Sequence, residues 1–135
     1  MNIQMPLDES QRALVRPTSR AIFNGRYALE AMVAMARDER FYQGQIAASA
    51  GCEASYVGEF MKRLLAAGLI ERMTAEPGQA RIYFRKLPSP LWRFCLDLMA
   101  NLLAEAPSAE VRLLRSLDAP YDSAENDVLA GPDTP

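Results

Sequence analysis

The stretch Gln43–Lys62, QGQIAASAGCEASYVGEFMK, constrains the chain more than any other. Ile46, Ala47 and Ala50 recur at the spacing of one buried helical face. Gly51 follows, and glycine takes the left-handed conformation that a tight helix–helix turn needs. Cys52 is a small apolar plug after the turn. Ala54 and Ser55 open a second helix whose inner side is Val57, Phe60, Met61, Leu64 and Leu65. Ala47 is small where two crossing helices would touch. This pattern predicts a helix-turn-helix. In a DNA-binding unit of that kind the second helix lies in the major groove with its N-terminal residues near base edges.

The flanks extend the motif. Gly68 stands where a helix stop belongs, and Leu69–Met73 then reads as a strand. Glu76-Pro77-Gly78-Gln79 is a strong turn signal, and Arg81–Arg85 is β-rich enough to return as a second strand. Phe41 and Tyr42, before the motif, form a short extended segment able to pair with these strands. Upstream, Ile22 to Asp38 predicts the first long helix, with Asn24 as its cap and Tyr27, Leu29, Met32, Val33, Met35 and Ala36 on its apolar face. Residues 1–19 hold Pro6, Pro17 and the arginines Arg12 and Arg16, with a short helix from Asp8 to Val15 capped by Asp8. That arm either packs on a partner subunit or touches phosphate.

Ser89-Pro90 starts a further helix, serine as N-cap and proline at the first helical position. It runs to about Glu105. Leu91, Trp92, Phe94, Cys95, Leu96, Leu98, Met99, Leu102 and Leu103 leave only the stripe Arg93, Asp97 and Asn101 strongly polar. A helix apolar over most of its girth is buried on more than one side. One side has the winged helix to pack on, and the simplest partner for the other is a second copy of the chain. The expected dimer interface is therefore Leu91, Trp92, Phe94, Cys95, Leu98, Met99 and Leu102. Trp92, Phe94 and Met99 as the lining of an effector pocket is the alternative, and plain packing is preferred to it. Pro107 breaks this helix, and Ser108 caps a shorter one with Val111, Leu113, Leu114 and Leu117 on its face.

The expected fold class is mainly α with a small β-hairpin. Its divisions are an N-terminal arm (1–19), a winged helix-turn-helix (20–87), a helical dimerisation segment (88–117) and an acidic, disordered tail (118–135).

Charge bears on partners. The net charge of −2 argues against nucleic acid, but its distribution does not. Five acids, Asp118, Asp122, Glu125, Asp127 and Asp133, close the chain without a single basic residue. Before them stand 15 basic and 12 acidic residues, a net +3. A mildly basic body with an acidic tail is compatible with DNA. The chain has no histidine, no Gly-rich phosphate loop and no activated cysteine, so neither an enzyme nor a metal or cofactor site is expected. Cys52 and Cys95 both lie in apolar helical patterns and read as core thiols of a reducing compartment, a redox pair being the alternative. No run of about eighteen apolar residues and no apolar signal core is present, so the expected location is the cytoplasm.

Gly25-Arg26-Tyr27-Ala28-Leu29, followed by Ser55-Tyr56-Val57 and by Leu64-Leu65-Ala66-Ala67-Gly68-Leu69-Ile70, resembles the Rrf2 family of bacterial transcription regulators. That family's pattern has G-R-Y-A-L at its first helix, S-Y-L opening the recognition helix and L-x-x-A-G-L-V before the wing. The resemblance spans roughly residues 20–86. It implies a winged-helix dimer, joined through a long helix after the wing, on a pseudo-palindromic operator. The departures are specific. The three clustered cysteines that hold an iron–sulfur cluster in many members have no counterpart here. Gly78 alone remains of the wing glycines. Gly58 stands where many members carry glutamate.

The residues expected to meet DNA are Arg20 and Arg26 at the first helix, Ser55, Tyr56, Glu59, Lys62 and Arg63 on the recognition helix, and Gln79 and Arg81 in the wing. Ser55 and Tyr56 can donate to phosphate or a base edge, and Glu59 can accept from cytosine. The competing reading of these positions is an ordinary solvated surface. For the whole domain it is a winged helix that binds another protein instead of DNA.

Overall fold

A computed structural model describes residues 3–104. The C-terminal segment expected to form a short helix, and the acidic tail, lie outside the described residues. In chain order the elements are α1 (Glu9–Phe23), α2 (Ala28–Arg37), α3 (Gln43–Ala50), α4 (Ala54–Ala66), β1 (Ile70–Arg72), β2 (Phe84–Lys86) and α5 (Pro90–Ala104). The fold is mainly helical with one small antiparallel hairpin, as the sequence predicts.

Asp8 caps α1 as expected: its carboxylate accepts from the Gln11 amide at 2.8 Å, while the Gln11 side chain accepts from the Asp8 amide at 2.9 Å. The bonds its carboxylate accepts from the Gln11 amide and the Ser10 hydroxyl hold the Asp8 carboxyl below its ordinary range. The helix does not stop at Val15. It continues through Pro17 to Phe23, so Ile22 and Phe23 belong to α1 and the boundary at residue 19 falls inside a helix. Asn24 closes α1 in the left-handed conformation, φ 58°, instead of opening the next helix. Expecting one helix from Ile22 to Asp38 was thus wrong. Two helices meet at Asn24–Tyr27, and α2 starts only at Ala28.

α2 is the centre of the molecule. Every residue from Ala28 to Ala36 is buried, Glu30 included, and α1, α3 and α5 pack around it. A single apolar face was expected, but burial on all sides is what a hub helix requires.

The helix-turn-helix forms where predicted. Gly51 adopts φ 67° and ends α3, and the Cys52 amide donates to the Ala47 carbonyl at 3.1 Å. α4 buries Val57, Phe60, Met61 and Leu64, whereas Leu65 points outward and is exposed. Gly68, φ 75°, turns the chain into the wing. β1 and β2 pair with Ile70 opposite Lys86, Glu71 opposite Arg85 and Arg72 opposite Phe84. The strands are shorter than predicted, since Arg81–Tyr83 is irregular. Phe41 bridges to Phe84 on the far edge of β2, as the extended segment before α3 suggested.

α5 starts as predicted: the Ser89 hydroxyl accepts from the Leu91 amide at 3.1 Å. Trp92, Cys95 and Met99 are buried within the single chain, and the Trp92 indole donates to the Leu87 carbonyl at 2.8 Å. These three expected interface residues are therefore core. Leu91, Leu98 and Leu102 are half-buried and Phe94 is exposed. The wide apolar girth of α5 has two separate causes: one arc fills the core, and another is left outside. No helix among the described residues is long and apolar enough to cross a membrane.

Candidate nucleic-acid interface

Because α4 buries Val57, Phe60, Met61 and Leu64, the helical period sends Ser55, Glu59 and Lys62 to the opposite side. These three residues line one open groove of about 390 Å³ together with Gln43, Gly58, Leu65 and Phe84. The groove thus lies between α4, the start of α3 and the wing strand. Gly58 makes room for it. A methyl group there would stand 2.8 Å from the Gln43 amide nitrogen, which donates to the Ala54 carbonyl at 2.6 Å. Gln43 was not anticipated. Its only sequence signal was its place at the first position of α3.

Within the groove Lys62 pairs with Glu59 at 3.0 Å, both largely exposed. Such a surface pair is weak, about 0.2–1 kcal/mol, so phosphate can take the ammonium from the carboxylate. Arg63 stacks its guanidinium over Phe60 at 5.7 Å.

Tyr56 is placed differently from expectation. Its ring meets Tyr27 edge-on at 5.3 Å and stacks on Phe60 at 6.3 Å. Its hydroxyl lies where a methyl on Gly25 would come within 2.5 Å. Half-burial raises the Tyr56 hydroxyl above its ordinary pKa. Tyr56 fastens α4 to the Gly25–Tyr27 corner through its aromatic body. Arg26, in that corner, is exposed and stacks over Tyr27 at 5.2 Å. Arg20 is exposed in the last turn of α1 and does not line the groove.

Gln79 is also occupied. Its carbonyl oxygen accepts from the Glu76 amide at 3.2 Å, and its amide donates to the Arg81 carbonyl at 2.6 Å. With Gly78 at φ 80°, it shapes the tip turn of the wing rather than reaching outward. Arg81 stacks over Tyr42 at 4.3 Å and keeps its outer edge exposed.

Arg12 and Arg16 do not reach outward as a basic arm would. Arg16 donates to Glu30 at 2.8 Å and to the Ala50 carbonyl at 3.2 Å, and Arg12 stands 3.5 Å from the same carboxylate. Next to this pair, burial and the Glu30 charge push the Cys52 thiol up. Burial raises Cys95 to about 11. Neither cysteine is an activated thiolate.

No family model matches the chain, and no curated protein sequence does. Solved structures are similar in fold. The transcriptional regulator PA4135 is 16% identical with a TM-score of 0.53, the match covering 82% of this chain and 84% of that one. Apo MarR from E. coli is 12% identical with a TM-score of 0.53, covering 81% and 86%. NadR, solved in complex with 4-hydroxyphenylacetate, is 15% identical with a TM-score of 0.53, covering 87% and 94%. At these identities the likeness is one of architecture: the chain has the winged helix-turn-helix fold found in these regulators.

Proposed function

We propose that the chain is a sequence-specific DNA-binding transcriptional regulator that acts as a homodimer and has no enzymatic activity. The observation that carries this reading is the groove in which Ser55, Glu59 and Lys62 of α4 lie side by side next to the wing. Hydrogen-bonding groups on the outer face of a second helix are what major-groove readout uses. Arg26 and Arg63 supply positive charge on the Tyr27–Phe60 flank of α4 and Arg81 at the wing, Arg20 lies in the last turn of α1, and Gln79 acts through the shape of the wing. The pentapeptide Gly25–Leu29 supports an Rrf2-like origin, since Gly25 and Tyr27 build the seat on which Tyr56 of the recognition helix rests.

Dimerisation goes through the arc of α5 formed by exposed Phe94 and the half-buried Leu91, Leu98 and Leu102, which recur at helical spacing. For a small-molecule effector a cleft of about 430 Å³ is lined by Ala36, Lys86, Leu87, Trp92, Arg93 and Leu96. Its apolar wall and two cations suit a small organic acid.

The test is selection of genomic DNA fragments by the purified protein at about 0.15 M salt, beside a variant carrying Ser55→Ala, Lys62→Ala and Arg63→Ala. Enrichment of a two-fold symmetric motif by the wild type alone supports the reading. No enrichment, together with capture of a protein partner that survives high salt, would transfer the domain to protein–protein assembly.

A further inference from the structure

One face of the wing root carries a row of two adjoining rings with a cation stacked at each end. Arg40-Phe41-Tyr42 runs antiparallel to Tyr83-Phe84, held by reciprocal Phe41–Phe84 backbone hydrogen bonds of 2.9 and 2.8 Å. Side chains alternate along such a segment, so Phe41 enters the core while Arg40 and Tyr42 share the other face. The Tyr42 and Tyr83 rings meet edge-on, centroids 5.7 Å apart. Arg40 stacks over Tyr83 at 4.2 Å and Arg81 over Tyr42 at 4.3 Å. The order is Arg40, Tyr83, Tyr42, Arg81, a cation at each end.

Both guanidinium groups are exposed, and neither has a carboxylate partner among the described residues. Stacking uses the face of a guanidinium and leaves its N–H edge available. It also restricts two long side chains, so that less entropy is lost when they bind. One face of each ring carries an arginine. The result is a pair of oriented donors suited to phosphodiester oxygens. The row adjoins the recognition helix, because Gln43, next after Tyr42, lines the α4 groove with Ser55 and Lys62.

We propose that this row binds the backbone of duplex DNA, Arg40 and Arg81 each holding a phosphate of the strand that passes the wing root, with Tyr42 and Tyr83 as positioning residues. The inference rests on the DNA-binding reading above and adds Arg40, Tyr42 and Tyr83 to the surface.

The experiment measures affinity for a fluorescent duplex of about 30 base pairs between roughly 50 and 200 mM salt, where each lost phosphate contact lowers the slope of log K against log salt by about 0.9. Arg40→Ala is expected to lower the slope by that amount for each bound protomer, and Arg40→Ala with Arg81→Ala by about twice as much. Tyr83→Leu keeps both charges and should weaken binding by about two- to five-fold, while Tyr83→Phe, which keeps the ring, should bind as the wild type. If Arg40→Ala binds with wild-type slope and affinity, the row is a packing feature and the inference fails while the DNA reading stands. If the wild type itself retains no duplex at the lowest salt, the DNA reading has failed and the inference with it.

Discussion

Arg16 donates to Glu30 at 2.8 Å, and the Glu30 carboxylate is completely buried. The same guanidinium donates to the Ala50 carbonyl at the end of α3 and stacks over Tyr27 at 4.6 Å. One side chain of α1 thus ties together the hub helix, the turn of the helix-turn-helix and the seat of the recognition helix. Removing one partner of a buried pair leaves the other uncompensated, which costs about 3–5 kcal/mol. Arg16→Ala should therefore lower the unfolding free energy by about 3 kcal/mol, measured by urea denaturation. Arg12→Ala should cost clearly less, since its contact is longer and its Nε has no hydrogen-bond acceptor. Equal losses from both variants would contradict this division of labour.

The Gly25–Tyr56 contact makes a separate prediction. Gly25→Ala would drive its methyl into the Tyr56 hydroxyl and separate the Tyr27 and Tyr56 rings. Loss of such an aromatic pair costs about 0.5–1.5 kcal/mol. The variant should melt earlier, and Tyr56→Phe in the same background should recover part of the loss by removing the colliding atom. No recovery would show that the strain lies elsewhere.

Glu59 and Lys62 should separate stability from binding. Their exposed pair contributes little to the fold, so Glu59→Ala and Lys62→Ala should each change stability by less than about 0.5 kcal/mol. Toward a duplex of unrelated sequence they should act in opposite directions at low salt. Lys62→Ala removes a phosphate contact and lowers the salt slope by about 0.9 per bound protomer, while Glu59→Ala removes a repelling carboxylate. On the selected motif Glu59→Ala should weaken binding, as loss of a base contact does; unchanged or tighter binding there would remove Glu59 from the readout.

On α5 the core and outer arcs predict contrasting outcomes. Trp92→Ala should destabilise by about 3–5 kcal/mol, as large-to-small core changes do. Phe94→Glu, at an exposed position, should leave the fold intact but halve the mass in solution, read by light scattering. A wild type that is already monomeric at micromolar concentration would end the proposal that this arc joins two copies.

The thiols predict a pH dependence. Cys95, raised to about 11 by burial, stays protonated in the folded chain over a range in which the unfolded thiol, near 9, has ionised. The unfolded state then binds fewer protons, so stability falls as pH rises from about 9 toward 11. Cys95→Ala should flatten that decline in alkaline denaturation curves. Both cysteines should also react slowly with iodoacetamide in the folded protein at neutral pH.

The helix-turn-helix, the wing turn and the start of α5 were legible because each is a local device. Gly51 and Gly68 adopt left-handed backbone, Gly78 shapes the wing tip, and Ser89-Pro90 opens a helix. The course of α1 was not legible, because Pro17 normally marks a break and Asn24 serves at either end of a helix. The outer face of α4 and the wing tip were legible only in part. Helical period alone sends Ser55, Glu59 and Lys62 outward, whereas the diversion of Tyr56 to Gly25 and of Gln79 to its own turn depends on neighbours that periodicity does not identify.

Sequence by itself determined which residues turn, cap and alternate, because those preferences reside in one residue and its near neighbours. Tertiary structure alone decided that Glu30 lies inside with Arg16, that Trp92, Cys95 and Met99 are core rather than interface, and that Arg40 and Arg81 flank two tyrosines. Each of these pairs side chains far apart in the chain, and their meeting follows from how α1, α5 and the wing close on α2, where burial of apolar surface rather than any local signal sets the geometry.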